Sequence, residues 1–351
     1  MQNKSYCGVL IIPTGIGASI GGYAGDGLPV AKAMAQVCDR VITHPNVMNG
    51  ASLYWNTNNI DYVEGYALDQ FANRQWGLTS VVQNKIGLIL DAGIEDELRY
   101  RHLQAADAVR ATLGIDVSNY IVTDEPLNVE LRVAESGASW GTIGNPDSLL
   151  RSADKLISQT GVNALAVVAR FPDDTDSKAL EEYRHGSGVD GLAGAEAVIS
   201  HLLVREFGLP CAHAPALSPI PLDQDLSPKA AAEELGYTFL SCVLVGLSKA
   251  PQYTLNKNYH SLWAEDIDTL VVPASACGGS ATLSFAGSQA QIIAVEDNET
   301  VLNIYPEMLG INVIRVKSYL EALGTIVAHR GGVNPQALKA NIPSLNDLII
   351  N

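Results

Sequence analysis

Basic residues are scarce in this chain of 351 residues: 22 Lys and Arg stand against 38 Asp and Glu, a formal charge of −16. A field of that sign repels phosphate backbones and anionic headgroups, which sets nucleic acid and membrane surfaces aside as partners. Paired cysteines are also missing. Cys7, Cys38, Cys211, Cys242 and Cys277 are odd in number, widely spaced and free of any CxxC pair, which excludes a disulfide framework and a zinc ribbon and fits a reducing compartment. No apolar run approaches the roughly 20 residues a bilayer requires. The first residues run into a strand at Cys7–Pro13, too early and too short for the apolar part of a signal peptide. A soluble, cytoplasmic protein is the expectation. The signatures GxxxxGK[ST], HExxH, GxSxG and the EF-hand loop are absent, so the commonest NTPase, zinc protease, hydrolase and calcium-binding classes lack their marks. Neither a low-complexity tract nor a short-period repeat is visible.

What is present is core material, 47% of residues being hydrophobic. Val, Ile and Leu recur in short runs bounded by turn residues, which predicts strands at Cys7–Ile12, Arg40–Thr43, Ile86–Asp91, Tyr120–Thr123, Ala164–Ala169, Phe239–Val245, Thr269–Val272, Gln291–Val295 and Asn312–Val316. Helical patterns lie between them at Val30–Cys38, Glu97–Leu113, Pro146–Thr160, Gly194–Phe207, Pro228–Leu235 and Ser318–Ala328. Asn145-Pro146-Asp147 and Ser227-Pro228 carry helix-start chemistry, while Gly161 and Gly236 sit where C-caps belong. This alternation predicts an α/β fold with a mostly parallel, doubly wound, Rossmann-like sheet or sheets. Two lobes around a cleft are expected, residues 1–172 and 192–351. The polar stretch Asp173–Gly191 is taken as the connection in preference to the Pro-rich Ala214–Asp225.

Six glycines between Thr14 and Pro29 (Gly15, Gly17, Gly21, Gly22, Gly25 and Gly27) follow the first strand, a density that lets backbone approach a ligand and aim N–H groups at an anion. The helix near Pro29 would add its dipole. A dinucleotide is disfavoured: Ile20 stands where the fingerprint needs its third glycine, and His44 where it needs the ribose-binding acid. The segment Pro273-Ala274-Ser275-Ala276-Cys277-Gly278-Gly279 resembles the first loop, so each lobe would supply one Gly-rich wall to a shared cleft. A helix beginning near Ser280 would lower the Cys277 thiol pKa and make it nucleophile or base; a buried, inert thiol is the bland alternative.

Polar residues gather at the C-terminal ends of the expected strands, where open α/β sheets bind ligands: His44, Asp91, Asp124, Glu125, Arg170, His213, Glu296 and Asp297. His213 or Glu296 could move protons with Cys277, though His213 could equally be a hydrogen-bonded structural histidine. One acid from each of the pairs Asp124-Glu125 and Glu296-Asp297 could hold Mg²⁺ or act as general base, hard-cation sites having no fixed sequence spacing outside known motifs. Arg330, beside two glycines, could clamp a carboxylate or phosphate or simply end its helix in solvent. Tyr183–Asp190 could form a lid.

Several stretches resemble a family of uncharacterised proteins of cyanobacteria and plant plastids that share one domain of unknown function. They are Ile12–Ala18, His44–Ala51, Leu90–Glu95, Ala193–His201 and Ala294–Asn298, and the likeness covers nearly the whole chain. It implies a bacterial cytoplasmic setting in an oxygenic phototroph, and it adds His44, Asn46 and Asn49 to the candidate site. The expected function is an enzyme (transferase, isomerase or lyase) acting on a small phosphate- or carboxylate-bearing metabolite, with Thr14, Gly15, Gly17, Gly21, Gly22, Ser275, Gly278, Gly279 and Arg330 on the ligand. The alternative is a non-catalytic ligand-binding regulator or assembly factor. No cofactor is named by the sequence, and a homo-oligomer stays open.

Overall fold

Runs such as Ile86-Gly-Leu-Ile-Leu and Ala164-Leu-Ala-Val-Val-Ala have no polar alternation, and such strands need cover on both faces. The computed structural model, which describes residues 5–50, 57–173, 178–235, 238–342 and 344–345, gives them that cover. In chain order the elements begin with β1 (Cys7–Leu10), α1 (Leu28–Val37), β2 (Arg40–Thr43), α2 (Pro45–Met48), β3 (Ile60–Tyr62), α3 (Gly65–Ala72) and β4 (Gly77–Thr79). There follow β5 (Ile86–Leu90), α4 (Asp96–Leu113), β6 (Val117–Val122), β7 (Val129–Val133), β8 (Ser139–Ile143), α5 (Pro146–Thr160), β9 (Ala164–Arg170), α6 (Lys178–Arg184), α7 (Ala193–Phe207), β10 (Cys211–Ala216), α8 (Ala231–Glu234) and α9 (Thr238–Ser248). The chain closes with β11 (Gln252–Thr254), β12 (Ser261–Leu262), β13 (Ile267–Pro273), α10 (Ser280–Ala286), β14 (Gln291–Val295), α11 (Pro306–Leu309), β15 (Ile314–Val316) and α12 (Tyr319–Arg330).

Two parallel sheets result. The larger has the order β15-β14-β13-β1-β2-β3. Numbered by appearance within that sheet and read from β3, its strands run 3-2-1-4-5-6, the doubly wound Rossmann order. The order reverses between β1 and β13, and both Gly-rich loops leave from those two strands. The smaller sheet runs β10-β9-β5-β6, all parallel. Its own reversal point, between β5 and β9, is filled from within. Buried Asp91 accepts the N–H groups of Gly93 (2.9 Å), Leu127 (2.9 Å) and Arg170 (3.0 Å) there.

Between the sheets lie α3, α5, α7 and α10, whose apolar sides join residues of both sheets in one core that includes Val9, Phe71, Leu149, Val167, Ile199 and Phe285. Helices α1 and α12 cover the outer face of the larger sheet, and α4 and α9 that of the smaller. The chain passes from one sheet to the other through a small antiparallel sheet, β11-β4-β12, with β4 on the outgoing path and β11 and β12 on the return. No helix among the described residues is long and apolar enough to cross a membrane.

Two expectations are corrected. The strand expected at Phe239–Val245 is part of helix α9: a short run that is apolar all round satisfies a fully buried helix as well as a buried strand. The boundary at Asp173–Gly191 separates β9 from β10, which are paired neighbours from Cys211 opposite Leu165 to Ala216 opposite Arg170. The two sheets are therefore not residues 1–172 and 192–351. The larger takes strands from both ends of the chain and the smaller from its middle. Residues 174–177 of that stretch, and the C-cap expected at Gly236, lie outside the described residues. Gly161 does cap α5, in the left-handed region at φ 64°.

Candidate functional site

At the C-terminal ends of β1, β2 and β3 a cavity of about 370 Å³ opens toward α7 and the end of β10. Three helices present their N-termini to it, and each is met by a carboxylate of the protein. Glu64, before α3, accepts the N–H groups of Tyr66 (2.7 Å) and Ala67 (3.3 Å). Asp190 accepts the Leu192 N–H at 2.8 Å just before α7. Asp69, on α3, accepts the Ala281 N–H at 3.0 Å in the first turn of α10. The positive ends of these helices are thus already paired with side chains.

Further acid lines the same space. Glu196 on α7 lies 3.8 Å from Nε2 of His213, which β10 supplies. The other ring nitrogen, Nδ1, shares a hydrogen bond with the hydroxyl of Ser200, one turn beyond Glu196 on the same face of α7. That bond fixes the imidazole with Nε2 toward Glu196. Glu233 accepts the Ala24 N–H (2.7 Å) and the Tyr183 hydroxyl (2.6 Å) through one oxygen. Burial, then the charges of Asp190 and Glu196, hold its carboxyl well above the usual range. Asp190 is raised to about 7, first by burial and then by Glu196. At His201 burial pulls downward, but the hydrogen bond to Glu64 and the charges of Glu64 and Asp69 together raise the imidazole above its usual value. His44 goes the other way. Burial lowers it to about 4, and its Nε2 accepts the Ile12 N–H at 3.2 Å, so this ring stays neutral at ordinary pH.

The lining therefore holds Glu64, Asp69, Asp190, Glu196 and Glu233, with His44, His201 and His213, and it includes no Lys or Arg. Among the described residues no group of three or more His, Cys, Asp and Glu could hold a metal ion.

Of the residues singled out from sequence, Thr14, His44, Asn46, Asn49, His213 and Gly279 are brought together on this cavity. The first Gly-rich loop borders it at Thr14 and Ala24, and the second at Gly279. His213 lies within β10 rather than after a strand. The remaining glycines of the first loop face protein. Gly15 packs on Ser139 and its carbonyl accepts that residue's N–H, Gly17 packs on Gly188 and Val189, Gly21 on Ile12, and Gly22 on the Ala18 backbone. Asn298 clamps the loop by accepting the Ile20 N–H and donating to the Ile20 carbonyl. The expected anion cradle is thus replaced by a loop closed on itself and its neighbours.

Cys277 is withdrawn as nucleophile. It is 0% exposed, its thiol faces the carbonyls of Pro273 and Ala274, and burial pushes it up to about 11, the reverse of what a helix N-terminus was expected to do. Glu296 is spent on the surface with Arg315 (2.8 Å), so it is no proton-transfer partner for His213. Ser275 is buried against Thr300 at 3.1 Å, and Gly278 packs on Ile304; neither lines the cavity. Arg330 binds Asp39 and the Val37 carbonyl just before β2, at the opposite end of the sheet from the cavity. Asp124 pairs with Arg151 and Ser148. The segment expected as a lid is tied down: the Tyr183 ring stacks on Tyr23 with centroids 4.4 Å apart, and Arg184 pairs with Glu234 at 2.8 Å.

A family profile described as "Protein of unknown function (DUF3326)" matches residues 7–339, which bears out the resemblance seen in the sequence. An uncharacterized lipoprotein of Synechococcus sp. is 56% identical over 340 residues, covering 96% of this chain and 94% of that one. That relative corrects the cytoplasmic expectation, since its name is that of a lipoprotein. No solved structure matches the chain.

Proposed function

We propose that this chain, which belongs to the family described as proteins of unknown function (DUF3326), is an enzyme that moves protons on a small uncharged or cationic molecule carrying hydroxyl or amine groups. One observation carries the reading: a cavity at the reversal point of a doubly wound sheet is lined by five carboxyl groups and three imidazoles without a single Lys or Arg. A phosphate or carboxylate would meet those acids with no Lys or Arg beside them, and His201, the imidazole raised above its usual value, is already paired with Glu64, so the ligand class differs from that expected of a Gly-rich loop.

His213 is placed to take or give the proton, oriented by Ser200 and faced by Glu196. Asp190, near 7, exchanges its own proton at physiological pH, and Glu233, whose one oxygen accepts from Ala24 and Tyr183 while burial raises its carboxyl well above the usual range, is disposed to offer a proton from its other oxygen. A group poised to accept and another poised to donate suit an isomerisation or an elimination.

The test is a thermal-shift panel in two charge classes, with ethanolamine and glycerol against inorganic phosphate and citrate. Ethanolamine or glycerol is expected to raise the melting temperature, and Glu196→Gln to remove the effect of the amine. Stabilisation by phosphate or citrate alone would overturn the ligand class. Catalysis is read separately, by incubating dihydroxyacetone, an uncharged hydroxyl-bearing ketone with exchangeable hydrogens beside its carbonyl, in deuterated water and following carbon-bound deuterium by mass spectrometry. Label that appears with the native protein and not with His213→Gln supports proton transfer; a binding protein leaves its ligand unlabelled.

A further inference from the structure

Behind the acid-lined cavity lies a second one, of about 230 Å³. The two abut, because Asp190, Leu192, Pro215, Leu217, Glu233 and Phe239 line both. Their chemistry differs. The second is walled by Leu131, Pro172, Leu180, Val189, Ile220 and Leu235, and its polar side chains are engaged with one another or with backbone. Arg184 pairs with Glu234 (2.8 Å), Asp173 accepts the Ser218 hydroxyl (2.8 Å) and the Arg170 guanidinium, and His102 Nδ1 is bonded to the Leu98 carbonyl (2.8 Å). Such a compartment offers a ligand apolar surface and little else.

We infer that the substrate is an amphiphile: an uncharged or cationic polar head held among His213, Glu196 and Asp190, and an apolar tail seated in the compartment walled by Leu131, Leu180 and Ile220. This rests on the acid–base reading of the first cavity and adds the tail to it. Three features favour a tail over a second polar group. The junction residues Leu192, Leu217 and Phe239 are apolar, so a chain leaving the head crosses no unpaired polar atom there. At the acids of the same junction, Asp190 and Glu233, burial favours the protonated form, which lowers the penalty of apolar contact. The far wall is built by α6 and the residues after β10, which Arg184 joins by donating to the Pro221 carbonyl (2.8 Å) while it also pairs with Glu234 of α8, so the compartment exists before a ligand enters.

The experiment is isothermal calorimetry with ethylamine, butylamine, hexylamine and octylamine, and with octanoate as the anionic control. Affinity is expected to rise by about fourfold per methylene once the chain passes the junction and to level off when the compartment is full. Ile220→Asp should flatten that rise while leaving ethylamine binding as in the native protein, which doubles as a check that the variant is folded. Ala179→Trp, which narrows the compartment by bulk from α6, should bring the levelling-off to a shorter chain. Equal affinity from ethylamine to octylamine overturns the tail compartment and leaves the head reading standing. Octanoate binding as tightly as octylamine, with the same dependence on Ile220, overturns the head reading and leaves the compartment standing.

Discussion

Asp190 joins the fold to the proposed chemistry. Its carboxyl takes the amide of Leu192 at the start of α7, yet burial and the nearby Glu196 raise it to about 7. The consequence for stability has a definite sign. Below about pH 4 an aspartate is protonated in the folded and the unfolded chain alike, so the raised value has no effect. From about 4 to 7 the unfolded chain gives up its proton while the folded one keeps it, and stability falls; above about 7 the loss is complete. Asp190→Asn keeps an acceptor for Leu192 without the charge. Its melting temperature is expected to match that of the native protein at pH 4 and to exceed it by a margin that grows from pH 5 to pH 8. A constant difference across that range would mean that Asp190 ionises freely. Asp190 and Glu64 were not singled out in the sequence, because a lone acid ahead of a helix is ordinary capping. Nothing in a single chain tells that these two and Asp69, which lies within α3, meet in one cavity. Glu196 and Ser200 carried a fainter signal: they stand four apart on α7, inside the segment Ala193–His201 that carried the family resemblance, and so share a face.

At the scale of elements, the Gly-rich loop after β1 was legible as unusual, and its purpose was not. Glycine density reports that backbone runs close to something, and here that something is protein. A Cβ on Gly25 would lie 1.9 Å from the carbonyl oxygen of Asn49, with φ at 80°. Gly161, at the end of α5, has a similar φ of 64° and nothing within 4 Å. The pair separates two costs. Gly161→Ala is expected to destabilise by about 1 kcal/mol, the cost of a left-handed residue with a side chain. Gly25→Ala adds a clash with backbone that cannot turn aside, so roughly 1–3 kcal/mol more is expected. Denaturant unfolding of both variants measures the difference; equal losses would show that the loop yields easily and is not a fixed wall. The same limit applied to α9. Phe239–Val245 is apolar at nearly every position, so periodicity had no polar face to register, and only its packing against α4, β9 and β10 makes it a helix.

At the scale of the molecule, parallel strands and alternating helices were readable, whereas the path of the chain between sheets was not. β4, β11 and β12 are two or three residues long, too short to carry a pattern, and they mark the crossings. The polar stretch after β9 looked like a linker because it is exposed and rich in turn residues, the same properties that suit a surface connection within one sheet. The consequence is that neither half of the chain holds a whole parallel sheet. Residues 1–172 contain β1, β2 and β3 without β13, and β5, β6 and β9 without β10. In such a fragment β1 and β9 lose a neighbour and become open parallel edges, with their backbone donors and acceptors bare. The shared core loses Leu270, Phe285 and Ile199 together. A fragment of residues 1–172 is expected to give no cooperative thermal transition by circular dichroism, while the full chain melts in one step because that core ties both sheets. A sharp transition in the isolated fragment would mean that the strands from residues 7–62 close on their own, and that the reversal point between β1 and β13, with the cavity beside it, is not part of a single folding unit.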